Sequence, residues 1–600
     1  RDDPTALAPE RLIVLETSGG ISNFQNAVSK VMGLEYIGDH DLDADDDKRP
    51  EHYLLMPSER ALKELLRLWD RWKAGQAMER GFTPWRDVFI QLRDVRPWGP
   101  QDRVTQAART TLEEQISGRD IGDTLKVEIE LVFRSNESTA SVGRKKVVQM
   151  IEASEGRVVS AYRRSEFDYD AILAELTVGS VLQIIARDSG YLAGADPIAS
   201  IIPQSTFAAT PNLGTGASPV TDNLVFNPVF PARRDPVVGI FDAVPIQAHP
   251  YLTGGLVIDD PHDLEARAVG ERVHGTAMAS AVLHGDLRQP LPTPDRPIYF
   301  RPVMYAPASM MPGHNANERF VDDRLIVDVM CEAVERMVTD TAPTVLVVNI
   351  SLGDIYRPYH RRVSMWARAL DYLSFRHGII FVVSAGNDPA SLHLEGITTP
   401  DGFNALTPEA QVAKLFGTVN SCKADRKIIA PAESINALTV GAWHKEVNVS
   451  PHPNAAAKVP YPSHEMPNLT SRLGLGILGA IKPDIMVAGG REHFRLGMVH
   501  PPVTVDPMLR GTRFAGICVA GQVSPQRQHD FTLGSSVAAA TATGTAARLH
   551  DSLESEYGAA FTALPKAQKA SLLKALLAHP ADWKGANDLI LPLVDPDGTL

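Results

Sequence analysis

Four side chains, far apart in the sequence, are of the types that acyl transfer through a hydroxyl requires. Asp242 closes the apolar run PVVGIFD, His274 opens HGTAMASAVLHG, Asn387 follows GIIFVVSAG, and Ser536 stands after Gly534 and Ser535 at the head of a long small-residue stretch. A serine hydroxyl is a weak nucleophile near neutral pH. It needs an imidazole to take its proton, a carboxylate to orient that imidazole, and donors for the oxyanion. A helix start beside Ser536 would add free N–H groups and partial positive charge. Taken singly, each residue has an ordinary explanation. Ser and Asp cap helices, and a His beside Gly often sits satisfied in a core. Ser535 is a second candidate hydroxyl.

These groups need elements that bring them together. PVVGIFD, RPIYFRPVMY, TVLVVNISL and GIIFVVSAG are short continuous apolar runs, the pattern of parallel strands buried on both faces. DRLIVDVMCEAVERMV and RRVSMWARALDYLSFRHG read as helices between them. The predicted fold class is therefore α/β, a mostly parallel sheet flanked by helices, with polar residues gathered at the carboxyl ends of strands. The alanines and glycines after His274 and Ser536 let two helices approach the sheet, and each other, closely.

In this order and setting, the residues resemble the subtilisin-like serine peptidases (subtilases). GIFDAVP is similar to the family's Asp segment, and HGTAMASAVLHG to its His helix. NISLG is similar to the strand that binds substrate backbone and lines the specificity pocket, and SAGND to the oxyanion segment. IKPDIMVAGG resembles the stretch before the nucleophile region, and LGSSVAAATATG resembles G-T-S-M-A-x-P. The likeness covers roughly residues 236–552. It implies that Asp242 supports His274, that His274 is general base and then acid, and that Ser536 attacks the scissile carbonyl. It further implies that Asn387 and the Ser536 N–H hold the oxyanion, and that Ser351, Leu352 and Gly353 pair with the substrate strand. The chain departs from the pattern at Ala243-Val244, at Ala277 in place of a second His, and at Ser535, Val537 and Ala540 of the serine motif. Long stretches near Pro389–Ile435 and Arg491–Gln528 read as insertions that gate substrate or receive a partner.

Upstream, LKVEIELVF alternates and predicts a half-buried strand, with Leu125, Val127, Ile129, Leu131 and Phe133 inward and Lys126, Glu128 and Glu130 outward. A helix through Val147, Val148 and Ile151 follows. Next come the strands RVVSAY and DYDAILAEL, a helix through Val178, Val181, Leu182 and Ile185, and the strand ASIIPQ. This order is a small α+β split βαβ module, β-α-β-β-α-β. It resembles the inhibitory prodomain of subtilases; a permanently attached accessory domain is the other reading. The expected organisation is residues 1–120 of unassigned role, 121–204 as this module, 205–235 as a linker open to processing, and 236–600 as the peptidase domain. The abrupt end after Leu600 implies a domain cut short at its C-terminus. Within residues 1–120, Pro57 and Ser58 open a helix with Leu62, Leu65, Leu66, Trp69 and Trp72 on one face. The acidic run Asp39–Lys48 lacks the Gly and closing Glu of a calcium loop and reads as solvated. No sequence repeat is visible.

Composition narrows the alternatives. The 600 residues are 44% hydrophobic and 22% charged, with net charge −13 and no dense basic stretch, which argues against nucleic acid as partner. No apolar run is long enough to span a bilayer and no signal peptide is visible, so no membrane partner is expected. Three widely spaced cysteines, Cys331, Cys422 and Cys518, suit a reducing compartment, and the expected location is cytoplasmic. His249, His262, His274 and His284 have no metal-ligand spacing, and HExxH is absent, so no cofactor or catalytic metal is expected. Structural calcium, frequent in the family, has no identifiable site. The expected partners are a protein or peptide substrate and a regulatory protein. The functional expectation is a serine endopeptidase regulated by its N-terminal module; the alternative is an inactive peptide-binding scaffold.

Overall fold

In the computed structural model the described residues are 12–18, 24–41, 51–204, 226, 228–230, 234–308, 317–360, 362–447, 452, 454–462, 465–497, 501–524, 527–583, 586–587 and 590–591. Most of the acidic run Asp39–Lys48 and of the expected linker 205–235 lies outside them. The chain divides into two units, one made chiefly of residues 1–204 and the other of nearly all the rest.

The first unit holds two four-stranded sheets. β1 (Ile13–Thr17), α1 (Phe24–Ser29), β2 (Leu34–Asp41), β3 (Glu51–Pro57), α2 (Glu59–Lys73), α3 (Thr83–Gln91) and β4 (Leu92–Pro97) come first. Their strands lie in the order β2-β3-β1-β4, every neighbouring pair antiparallel. Ser58 caps α2 by accepting the Ala61 N–H at 3.2 Å. Trp69 and Trp72 of α2 pack on Phe89 of α3. Leu66, expected on the inner face, is exposed: it lies at the edge of the stripe whose middle Leu65 and Trp69 hold, while Leu68 is buried instead.

The second module runs β5 (Thr124–Leu131), α4 (Glu137–Ala153), β6 (Arg157–Arg164), β7 (Tyr169–Thr177), α5 (Val178–Ile185) and β8 (Ile198–Pro203). Its strands lie in the order β6-β7-β5-β8, again all antiparallel. Val127, Ile129 and Leu131 join Val147, Ile151 and Val181 in its core. Two expectations are corrected here. Glu128 and Glu130 are buried rather than solvated, because their carboxylates accept from the Tyr169 and Ser200 hydroxyls at 2.9 and 2.8 Å. Leu182 is exposed, and Ile184 takes its place in the core. Numbered within each module, both sheets read 2-3-1-4. The first module therefore repeats the topology of the second without a matching sequence pattern. Trp98 joins them, packing with Leu12, Val14 and Val132 while its indole N–H donates to the Ala199 carbonyl at 2.9 Å.

The second unit is built on an eight-stranded sheet. β9 (Val238–Ala243), β10 (Leu256–Ile258), β11 (Ile298–Tyr305), β13 (Val347–Ile350), β15 (Ile380–Ser384), β18 (Leu438–Trp443) and β19 (Ile485–Ala488) are parallel, in the order β10-β11-β9-β13-β15-β18-β19. The short β12 (Arg319–Phe320) pairs antiparallel with β11. The four apolar runs form β9, β11, β13 and β15, as expected, and the two intervening patterns form α7 (Ile326–Arg336) and α8 (Met365–His377). α6 (His274–His284) and α10 (Ser535–Tyr557) pack on each other through their small residues. A Cβ on Gly544 of α10 would lie 2.3 Å from the Val282 carbonyl oxygen of α6, so only glycine permits this approach. The two long stretches meet. β16 (Leu392–His393), β20 (His493–Gly497) and β21 (Thr504–Met508) form one antiparallel sheet in the order β16-β21-β20, over a core that includes Phe403, Phe494 and Leu415 of α9 (Pro408–Ser421). β14 (Asp354–Pro358) pairs with β17 (Ile429–Ala430).

Candidate active site

β9 delivers Asp242 near its end, and α6 starts at His274. Gly275 makes their meeting sterically possible, because a Cβ there would lie 1.8 Å from the Ala243 carbonyl oxygen. Asp242 Oδ1 lies 2.7 Å from His274 Nδ1 and also accepts the Ala243 N–H at 2.7 Å. Asp242 is fully buried and His274 nearly so. With Nδ1–H donated to the carboxylate, Nε2 keeps its lone pair as a proton acceptor. Burial resists charge on the imidazole, but the attraction and hydrogen bond of Asp242, with Glu318 behind it, outweigh burial. The His274 pKa is raised above the ordinary 6.5.

Glu318 was not singled out from the sequence. One of its carboxylate oxygens accepts the Val273 N–H and the other the His274 N–H, each at 2.7 Å, so it caps the first turn of α6. It is 3% exposed, and burial drives its own pKa up to about 7 against the pull of His274 and the two N–H groups. It lies 44 residues from His274, so no local spacing rule could have flagged it.

The head of α10 resolves the two adjacent serines by their surroundings. Ser535 is fully buried. Its hydroxyl donates to Asn387 Oδ1 at 3.1 Å and accepts the Gly386 N–H at 3.2 Å, and its own N–H donates to Asn387 Oδ1 at 2.9 Å. Two donors on Oδ1 fix the orientation of the Asn387 amide. Nδ2 is left without a hydrogen-bond partner among the described residues. Gly534, at φ +106°, passes so close to this amide that a Cβ would lie 2.7 Å from Oδ1.

Ser536 Oγ donates to the Ser351 carbonyl at 3.1 Å, and among the described residues no hydrogen bond joins it to His274. Ser351 Oγ in turn lies 2.9 Å from the Ser536 carbonyl oxygen and 3.0 Å from Asn349 Oδ1, while Asn349 Nδ2 donates to Thr543 of α10 at 3.2 Å. Ser351, Leu352 and Gly353 thus leave β13 alongside the start of α10. The Ser536 N–H lies in the first helical turn, where the helix itself offers no carbonyl.

The remaining histidines have separate commitments. His249 Nε2 lies 2.8 Å from the Gln528 carbonyl, and His284 Nε2 lies 2.8 Å from the Tyr251 carbonyl, with burial driving the His284 pKa down to about 4. His262 pairs with Glu332 at 2.8 Å. Among the described residues, one group of side chains is close enough to share a metal: His550, Asp551 and Glu554 on α10. Its carboxylates are already held by Arg296, 2.8 Å from Asp551, and Arg234, 2.6 Å from Glu554, so cations of the protein fill the role an ion would have.

The profile of the subtilase family matches residues 233–590. The uncharacterized protein y4bN of Sinorhizobium fredii (strain NBRC 101917 / NGR234) is 28% identical over 167 residues, 27% of this chain and 34% of that protein, so the chain spans about a third of this relative's length. A solved structure, phospho-2-dehydro-3-deoxyheptonate aldolase (DAHP synthase) of Thermotoga maritima, matches 56% of this chain and 73% of its own at 7% identity; its TM-score of 0.11 carries no argument about fold.

Proposed function

Because the chain belongs to the subtilase family of serine peptidases, we propose that it is an endopeptidase working through Asp242, His274 and Ser536. The observation that supports this most is the buried 2.7 Å hydrogen bond between Asp242 and His274. It leaves Nε2 free to take a proton. In the first step Ser536 releases the Ser351 carbonyl and gives its proton to Nε2 as Oγ bonds to the scissile carbonyl carbon. The oxyanion that forms accepts from Asn387 Nδ2 and the Ser536 N–H. His274 then passes its proton to the departing amine, the C–N bond breaks, and an acyl-enzyme remains. Water, activated by the same imidazole, hydrolyses it. Ser351, Leu352 and Gly353 pair with the substrate backbone. No metal or cofactor takes part in these steps.

The module at residues 124–203 acts in this reading as the inhibitory domain, and cleavage within 205–235 relieves it. Its β-α-β-β-α-β topology supports the assignment. A protein or peptide is the substrate, and the sheet joining the two long stretches is where a regulatory partner docks. The three cysteines are few and widely spaced in the sequence, in keeping with a reducing, cytoplasmic setting. Among the described residues no helix is long and apolar enough to cross a membrane.

A peptide-binding scaffold is the rival reading, favoured by the Ser536 hydroxyl facing Ser351 rather than His274. A fluorophosphonate probe separates the two. Labelling that is abolished by Ser536→Ala and kept in Ser535→Ala supports the peptidase. No labelling of the full chain, before or after limited proteolysis, supports the scaffold. Deletion of residues 1–204 should release activity or abolish folding; an unchanged fold and rate would remove the inhibitory role.

A further inference from the structure

The segments that flank the candidate nucleophile carry a glycine each, and one side chain lies between them. Gly353 follows Ser351, whose carbonyl holds Ser536 Oγ. Gly386 precedes Asn387, whose amide nitrogen has no hydrogen-bond partner among the described residues. A Cβ built on Gly353 would lie 2.7 Å from Ile429 Cδ1; one built on Gly386 would lie 2.7 Å from Ile429 Cγ1 and 2.8 Å from Cδ1. The Ile429 side chain therefore fills the gap between the two backbones, and it is 3% exposed. Its position is set by β17, which pairs with β14, and by the Tyr359 N–H donating to the Ile428 carbonyl at 2.8 Å. The aliphatic part of Arg472 closes on Gly386 from another side, its Cδ 3.1 Å from where that Cβ would be.

A substrate residue that places its carbonyl carbon on Ser536 Oγ and its oxygen toward Asn387 Nδ2 has its Cα one bond away. Its side chain leaves between the Ser351–Gly353 backbone and the Gly386–Asn387 backbone, because the carbonyl already points at the amide and the chain runs along the first segment. That gap is the one Ile429 fills. We propose that Ile429 is a specificity-determining residue and that the enzyme cuts after residues with small side chains, namely Gly, Ala or Ser. This inference rests on the peptidase reading above. A Leu or Phe side chain entering the same gap meets Ile429 atoms at overlap distance, and close-packed interiors yield little to such overlap.

The test uses the purified full chain, before and after limited proteolysis, and quenched peptides that differ only in the residue before the cut: Ala, Leu or Phe. The wild type should favour Ala over Leu and Phe by at least about 30-fold in kcat/KM, within the range that hydrophobic pocket size confers. Ile429→Ala should shrink that ratio by roughly 10–100-fold. Ile429→Val removes only Cδ1 and should shrink it less, which keeps the test valid if the alanine variant does not fold. Cleavage that depends on Ser536 yet favours Leu or Phe, or an Ile429 variant that folds and slows all three peptides equally, would overturn the assignment of Ile429 alone. Cleavage that persists in Ser536→Ala, or no cleavage of any peptide together with no fluorophosphonate labelling both before and after limited proteolysis, would overturn the peptidase reading and this inference with it.

Discussion

Glu318 grips the amino end of the helix that carries His274, with one carboxylate oxygen on each of the Val273 and His274 N–H groups at 2.7 Å. It therefore acts on His274 twice, by fixing where the ring stands and by placing negative charge near it. Glu318→Ala strands two buried donors, at about 1–3 kcal/mol each, and should lower both the melting temperature and kcat/KM. Glu318→Gln keeps one acceptor and should fold. Because the lost charge had favoured the imidazolium, its acid limb of activity should shift to lower pH. A limb at the wild-type pH would mean that Glu318 is only a cap.

The general base must be neutral, so activity falls as pH drops through the His274 pKa. That pKa is raised above 6.5, since Asp242 and Glu318 outweigh burial. The kcat/KM profile of the wild type should thus bend above pH 6.5. Asp242→Asn should lower kcat by about 10⁴ and move the bend downward, because burial then acts with less opposition. A profile flat between about pH 5 and 8 would exclude a His base.

Asn387→Ala should lower kcat by roughly 10²–10³ with little change in KM, as loss of an oxyanion donor requires. Ser535→Ala should have a smaller effect of the same kind, about fivefold for one hydrogen bond near 1 kcal/mol, since Ser535 aims the amide without touching substrate. Ser535→Thr keeps the hydroxyl and should restore the rate. A Ser535→Ala variant slower than Asn387→Ala would contradict this division of labour.

Gly544→Val tests the closeness of the two site helices. The added Cβ would enter the 2.3 Å space before the Val282 carbonyl oxygen, and overpacking of this kind destabilises by about 1–3 kcal/mol or more. Calorimetry should show a lower melting temperature. An unchanged one would mean that the helices can separate at no penalty.

Much of this protein is legible without its tertiary structure. Apolar runs such as GIIFVVSAG report burial on both faces, as interior parallel strands require, and alternation from Leu125 reports the core-facing side of β5. The Asp, His, Asn and Ser types, in that order at strand ends and helix starts, state what chemistry is available. Tertiary structure decided what each group faces. Glu318 reaches α6 from the residue just before β12, Ser535 is committed to Asn387 while Ser536 is not, and Glu128 is buried with the Tyr169 hydroxyl donating to it. The shared topology of residues 13–97 and 124–203 was equally hidden, since strand order depends on pairing between distant segments. Periodicity along a chain reports which side of one element is buried; it carries no record of which distant residue completes a hydrogen bond or blocks a gap.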